Sequence, residues 1–282
     1  MDELPFGIRR LTFPLPLGIR HVHCYLLPGD DGWTLVDTGL GLPDAEARWA
    51  PVLEEIEIAR IPDHAGGGED AQALTGARVL QGELDYEQCL RVWGSDDWSE
   101  RLAAYLLANG LPDTLAAELR HESTAFGPFI RFARDPGLVR EGNEIDGWEV
   151  LELPGHADGH ICLLRDGVLV AGDHLLGAIT PTVGLYPDSR PDPLGYYLAS
   201  LERTIELAPS LALPGHGEPI RAPPPQTGRD RRRARPGAAH RLRSLGRALR
   251  PGARRQRPPV RPSRGARAPR TACFRGPGRA LR

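Results

Sequence analysis

Four short segments of this chain share one design: an apolar run ends in a turn that carries a histidine or an aspartate. They read PDHAGG (62–67), LPGHADGH (153–160), VAGDHLL (170–176) and LPGHGEP (213–219). Side chains on such turns can converge at one edge of a sheet. Imidazole and carboxylate are the donors that borderline divalent ions such as zinc accept. The glycines beside His156, Asp173 and His216 allow tight turns and close backbone approach. A single G-H or G-D pair is most often an ordinary turn with a solvated side chain. Four of them, separated by alternating strand-like and helix-like segments, make a strong signal of a mixed α/β fold whose strand ends can converge on one polar site.

The intervening segments supply those strands and helices. HVHCYLL and WTLVDTG are strand-like runs joined by the turn signal PGDDG. LPDAEARWAPVLEEI has helical composition, IEIARI (56–61) is a short strand, EDAQALTG is a helix closed by Gly76, and ARVL is a strand. Residues 84–134 form a helical insert: Trp98, Leu102, Tyr105 and Leu106 fall at helical spacing, with Gly110 just beyond them. Its aromatic residues are read mainly as packing, some of them as pocket lining. Strands return at 147–156, 160–167 and 168–176. In RPDPLGYYLASLERTIEL, Asp192 suits an N-cap and Pro193 the first helical position, and Leu194, Tyr197, Leu198, Leu201 and Ile205 make one apolar stripe. A last strand covers LALPGHGEP.

From Arg221 this patterning stops. Residues 221–282 hold 20 arginines and one acid, Asp230, and Arg, Pro, Ala and Gly fill 47 of the 62 positions. The composition offers too little apolar surface to offset the entropy of ordering, so the segment reads as a disordered tail. A basic arm for nucleic acid is the functional alternative. Out-of-frame translation of GC-rich DNA is a third reading, and it fits the mixture best. The remaining residues carry a large acidic excess, which argues against nucleic acid as a substrate of the domain itself.

No basic leader with an apolar run opens the sequence, and no uninterrupted apolar run approaches the roughly 18 residues of a membrane span. Cys24, Cys89, Cys162 and Cys273 are widely spaced and read as small buried hydrophobes in a reducing cytoplasm.

The order HVHCYLL, WTLVDTG, PDHAGG, LPGHADGH, AGDHLL, LPGHGEP resembles the metallo-β-lactamase superfamily over roughly residues 10–220. Its glyoxalase-II, thioesterase and lactonase-like branch is the nearest in appearance. The resemblance implies an αββα four-layer sandwich, formed by residues 1–220, with metals at one end of the sheets and the 84–134 insert as a pocket lid. It implies His156 as a ligand of a first metal, Asp173 as a bridge, and Asp63, His64 and His216 as the rest of a second site. Asp63 would also orient the nucleophile, as the catalytic residue, and Asp37 would support the metal loop. His160 and His174 would lie behind the ligands.

One departure stands out. The family signature is H-x-H-x-D-H, and here the places of its two leading histidines hold Ala59 and Ile61. About six residues are missing between the IEIARI strand and Asp63, judged by ordinary strand and loop lengths. His21 and His23 form an H-x-H on a predicted strand, but the reading as ordinary framework residues is preferred to that of a substitute pair. The function implied is metal-dependent hydrolysis of ester, thioester or lactone bonds in a small acyl substrate, by water activated on one or two Zn²⁺ ions and impaired by the missing histidines. A non-catalytic metal- or ligand-binding relative and an RNA-associated protein using the Arg-rich tail are the alternatives.

Overall fold

A computed structural model describes residues 1–16 and 18–222. The expected disorder and nucleic-acid readings of the Arg-rich tail, and Cys273, concern positions that from 223 onward lie outside the described residues.

The first seven strands, β1 (Asp2–Glu3), β2 (Arg9–Pro14), β3 (His21–Gly29), β4 (Gly32–Val36), β5 (Ile58–Pro62), β6 (Arg78–Gly82) and β7 (Gly137–Val139), make one sheet in sequence order. The next six, β8 (Glu144–Ile145), β9 (Trp148–Glu152), β10 (Ile161–Arg165), β11 (Val168–Gly172), β12 (Leu211–Pro214) and β13 (Ile220–Arg221), make a second sheet, ordered β13-β12-β11-β10-β9-β8. Strands β4 to β7 run parallel, as do β11 and β12. Six helices connect them: α1 (Ala45–Leu53), α2 (Gly68–Thr75), α3 (Glu83–Val92), α4 (Trp98–Ala108), α5 (Asp113–Phe126) and α6 (Pro193–Leu207).

Period-two alternation sorts side chains into layers. On β3, Tyr25 and Leu27 enter the core between the sheets, where they meet Val150, Leu163, Val170 and Leu213 of the second sheet. Cys24 and Leu26 point the other way, into a cluster with Trp49 of α1 and Ala71 of α2. Leu151, Cys162, Leu169 and Ala212 on the second sheet face α6 through Leu201. Helix, sheet, sheet and helix are thus stacked in four layers, the αββα sandwich that the resemblance implied.

Helix ends follow the local chemistry. Gly76 closes α2 at φ 71°, and the Asp192 carboxylate caps α6 by accepting the Gly195 N–H at 2.9 Å. The last α-helix of the insert ends at Phe126 and a 3-10 turn continues to Phe129, short of the expected 134. Most of its aromatic residues are packing: Tyr86 meets Phe132 edge-on at 6.2 Å, and Trp93 meets Phe126 at the same distance. The six-residue β2 and the shorter β1, β7, β8 and β13 were not expected from the sequence.

Candidate metal centre

Each of the expected site residues follows the C-terminal end of a strand. Asp63 and His64 follow β5, His156 and His160 lie on the loop after β9, Asp173 follows β11, and His216 follows β12. Glycine at two of these ends leaves room for the site's side chains. A Cβ on Gly215 would lie 2.8 Å from Asp173 Oδ1, and Gly172, at φ 48°, would press a Cβ to 3.1 Å from His160 Nε2.

The consequence of the short connection appears at β5. Ile61 packs on the helix side of the first sheet, and alternation sends Asp63 toward the same side. The Asp63 N–H still donates to Leu80 O at 2.9 Å, so the ladder with β6 draws this residue into the sheet. Its side chain is buried. Oδ1 accepts the Thr38 hydroxyl at 2.9 Å, and Oδ2 lies so close to Gly68 at the start of α2 that a Cβ there would come within 2.5 Å. Burial, with the Asp37 carboxylate nearby, pushes the Asp63 pKa up to about 7. Asp37 itself, at φ 66°, donates its N–H to Pro62 O and accepts the Gly39 N–H, which holds the start of this loop in place.

His64, one residue further on, turns toward the second sheet. Its ring centroid lies 5.7 Å from that of His156 and 5.8 Å from that of His160. His64 Nδ1 donates to Asp85 Oδ1 at 2.9 Å. Gln81 locks this pair, donating through Nε2 to Asp85 Oδ2 and to His64 O, both at 2.6 Å. Burial works to lower the His64 pKa, but the Asp85 carboxylate, with Asp173 and Asp37 further off, outweighs it and raises the value to about 9.

His156 and His216 flank Asp173. His156 Nε2 stands 3.6 Å from Asp173 Oδ2, and His216 Nε2 stands 3.4 Å from Asp173 Oδ1. Each ring donates its Nδ1–H to a backbone carbonyl, His156 to Thr182 O at 3.0 Å and His216 to His21 O at 2.6 Å. A carbonyl only accepts, so Nδ1 carries a proton in both rings and Nε2 is the atom turned to Asp173. Burial opposes ionisation of Asp173, yet the His216 hydrogen bond and the His156 charge outweigh it and hold the group below the usual carboxylate range. Burial lowers the His156 pKa; for His216 the same burial is outweighed by Asp173, and the value is raised.

The other described histidines, apart from His121, serve the framework. His160 Nε2 accepts the Asp173 backbone N–H at 3.2 Å, and the Nε2 of buried His174 bonds Thr204 Oγ1 at 2.7 Å. His21 accepts the Gly217 N–H at 3.2 Å, His23 donates to Gly217 O at 2.9 Å, and His121 is exposed on α5. Asp85, Gln81 and the Thr182 carbonyl are site residues that the motif reading did not single out.

The structure therefore groups His64, His156, Asp173 and His216, with His160 behind them, and directs the Asp63 carboxylate to Thr38. Two ligands of one tetrahedral zinc ion stand about 3.4 Å apart, given bonds of about 2.0–2.1 Å. The imidazole–carboxylate separations at Asp173 match that spacing. Among the described residues no three His, Cys, Asp or Glu side chains already close round one point. Imidazole and carboxylate are donor types that suit a divalent ion, but the Asp63 carboxylate is turned to Thr38 and the places of both leading histidines hold Ala59 and Ile61, so the family's full donor set is not assembled.

The four-layer sandwich and its strand-end histidines place the chain in a known class: residues 17–216 match the metallo-beta-lactamase superfamily, and the chain belongs to it. It is 34% identical over 239 residues to the probable metallo-hydrolase YqjP of Bacillus subtilis (strain 168), covering 74% of this chain and 71% of that protein. In three dimensions it resembles the metallo-beta-lactamase family protein TTHA1429 of Thermus thermophilus, with 29% identity and a TM-score of 0.69 over 87% of this chain and 79% of that one. A beta-lactamase domain protein from Burkholderia ambifaria shares the fold at 24% identity, with a TM-score of 0.66 over 88% and 75% of the two chains.

Proposed function

We propose that this metallo-hydrolase family member cleaves ester, thioester or lactone bonds of a small acyl substrate, using a divalent ion, zinc by the chemistry of its donors, and that it does so more slowly than relatives with the full ligand set. The observation that carries the reading is the pair of imidazoles whose Nδ1 protons are anchored and whose Nε2 atoms face Asp173. Anchoring of this kind fixes tautomer and ring orientation ahead of metal binding. A bound divalent ion supplies a lowered pKa for water and polarises a carbonyl.

The chain's own residues prepare that chemistry. His160 holds the Asp173 backbone, and Thr182 and His21 aim the two imidazoles. The loop that carries Thr182 is stitched to the His156 loop, since Asp158 Oδ2 accepts the Arg190 N–H at 2.9 Å and the Asp158 N–H donates to Gln88 Oε1 on α3 at 3.3 Å. Arg101 on α4 pairs with Asp188 of the same loop. These contacts tie α3, α4 and residues 180–191 together beside the His156 loop, which supports reading them as a lid for an acyl substrate. No described helix is long and apolar enough to cross a membrane. Cys24, Cys89 and Cys162 are buried and free, which supports a reducing cytoplasmic setting.

The test is a panel of thioester, ester and lactone substrates, assayed with purified, chelator-stripped and zinc-reloaded protein. Slow turnover that chelation removes and zinc restores is expected. The diverted Asp63 and the two lost histidines favour one other reading, a non-catalytic metal binder. Metal retention without turnover on any substrate would select it.

A further inference from the structure

We propose that the shortened connection after β5 has moved His64 from one ligand set to another, so that this chain binds a single divalent ion through His64, His156 and Asp173, with Asp63 taking no part. The inference rests on the metal dependence proposed above. It departs from what the resemblance implies, namely Asp63, His64, Asp173 and His216 as one set.

Three observations carry it. The first is alternation along β5. Asp63 follows the parity of Ile61 to the helix side, where Oδ1 accepts from Thr38 and Oδ2 lies against Gly68 at the start of α2. His64 takes the opposite face, toward the loops of the second sheet.

The second is proximity. Two imidazoles bound through Nε2 to one tetrahedral ion have ring centroids about 5 Å apart, given metal–nitrogen bonds of about 2.0–2.1 Å. The His64 and His156 rings stand 5.7 Å apart at an interplanar angle of 54°, slightly open from that arrangement. His156 Nε2 to Asp173 Oδ2, at 3.6 Å, is similarly open. Among the described residues no three such side chains stand close enough to hold an ion as they are, so binding requires His64, His156 and Asp173 to draw together.

The third is anchoring. His64 Nδ1 is held by Asp85, itself fixed by Gln81, as His156 Nδ1 is held by Thr182 O. Both rings therefore present Nε2. Counting decides between the two sides of Asp173. The His156 side has three protein donors, the number a catalytic zinc site keeps. The His216 side has two, His216 and Asp173, once Asp63 is turned away.

The test titrates cobalt(II) into the metal-free full-length protein and follows its visible absorption, with far-UV circular dichroism as the check on folding. The parent is expected to bind one equivalent. Asp63→Asn, which can still accept from Thr38, should keep that equivalent with affinity within about threefold. His64→Ala and His156→Ala should each lose more than about a hundredfold, beyond what loss of an outer contact costs. Loss of the ion in folded Asp63→Asn with retention in His156→Ala would overturn the inference, as would failure of the parent to bind cobalt.

A second readout needs no variant. In the cobalt-loaded parent, hyperfine-shifted ring N–H protons should show contacts with Asp85 and Thr182, marking His64 and His156. A shifted N–H beside His21, marking His216, with none beside Thr182 would contradict it. Hydrolysis is assayed on the same samples. One ion on the predicted ligands without turnover refutes the hydrolase reading alone, whereas turnover with the ion on Asp63 and His216 refutes the ligand assignment alone.

Discussion

Two neighbouring residues, Asp63 and His64, show how parity decides chemistry. One burial direction makes Asp63 a reluctant acid with a pKa of about 7, and the other pairs His64 with Asp85 and lifts it to about 9. Both shifts make stability depend on pH, with calculable sign. An unfolded aspartate ionises near its ordinary 3.8, while folded Asp63 holds its proton to about 7, so its contribution to stability falls as pH rises between those values. Asp63→Asn should therefore gain melting temperature relative to the parent across that window. For His64 the folded pKa exceeds the ordinary 6.5, so its contribution is complete below that pH and is lost as pH rises to about 9. In metal-free protein, His64→Gln should be less stable than the parent below pH 6.5 and converge on it towards pH 9. Thermal melts at a series of pH values check both signs, and parallel curves for variant and parent would refute them. At this scale His156, Asp173 and His216 were legible from their glycine-flanked turns. Asp85 was not, because ELDYEQ reads as ordinary helix and its partner is chosen only when α3 is brought beside the β5 end. The turning of Asp63 was present in the sequence as its shared parity with Ile61.

At the scale of elements, the strands and helices that carried clear end signals were legible: Gly76 after α2, Asp192 and Pro193 before α6, and the PGDDG turn between β3 and β4. The short strands β1, β7, β8 and β13, of two or three residues, cannot display a period and take their pairing from the sheet. The element that matters most is the short β5–α2 connection. Inserting a strand-plus-loop segment with Thr-His-x-His between Ile61 and Pro62 should release Asp63 from the β6 ladder and supply the two absent histidines. Metal content should rise from about one to about two equivalents, and acyl hydrolysis by orders of magnitude, because water activation is the central device. A repaired, folded, two-metal protein that hydrolyses no ester, thioester or lactone would refute acyl hydrolysis as the function. At Gly215, substitution by alanine should displace Asp173, lowering metal affinity while leaving the fold intact; unchanged cobalt affinity in Gly215→Ala would show that Asp173 is not held as described.

For the whole molecule, the charge is divided along the chain, with 20 arginines and one acid in residues 221–282 against an acidic remainder. Any affinity for nucleic acid should therefore belong to that segment and weaken steeply with salt. Truncation after Arg221 should abolish RNA binding and leave metal content and hydrolysis unaltered; salt-dependent RNA binding by the truncated chain would contradict the division. The central claim, a family fold whose shortened loop leaves donors for one ion, is tested most directly by elemental analysis of the purified, dialysed full-length protein. The account predicts about one equivalent of tightly bound divalent metal per chain, removed by chelator and restored by zinc. Two equivalents, or none after reconstitution, would contradict it.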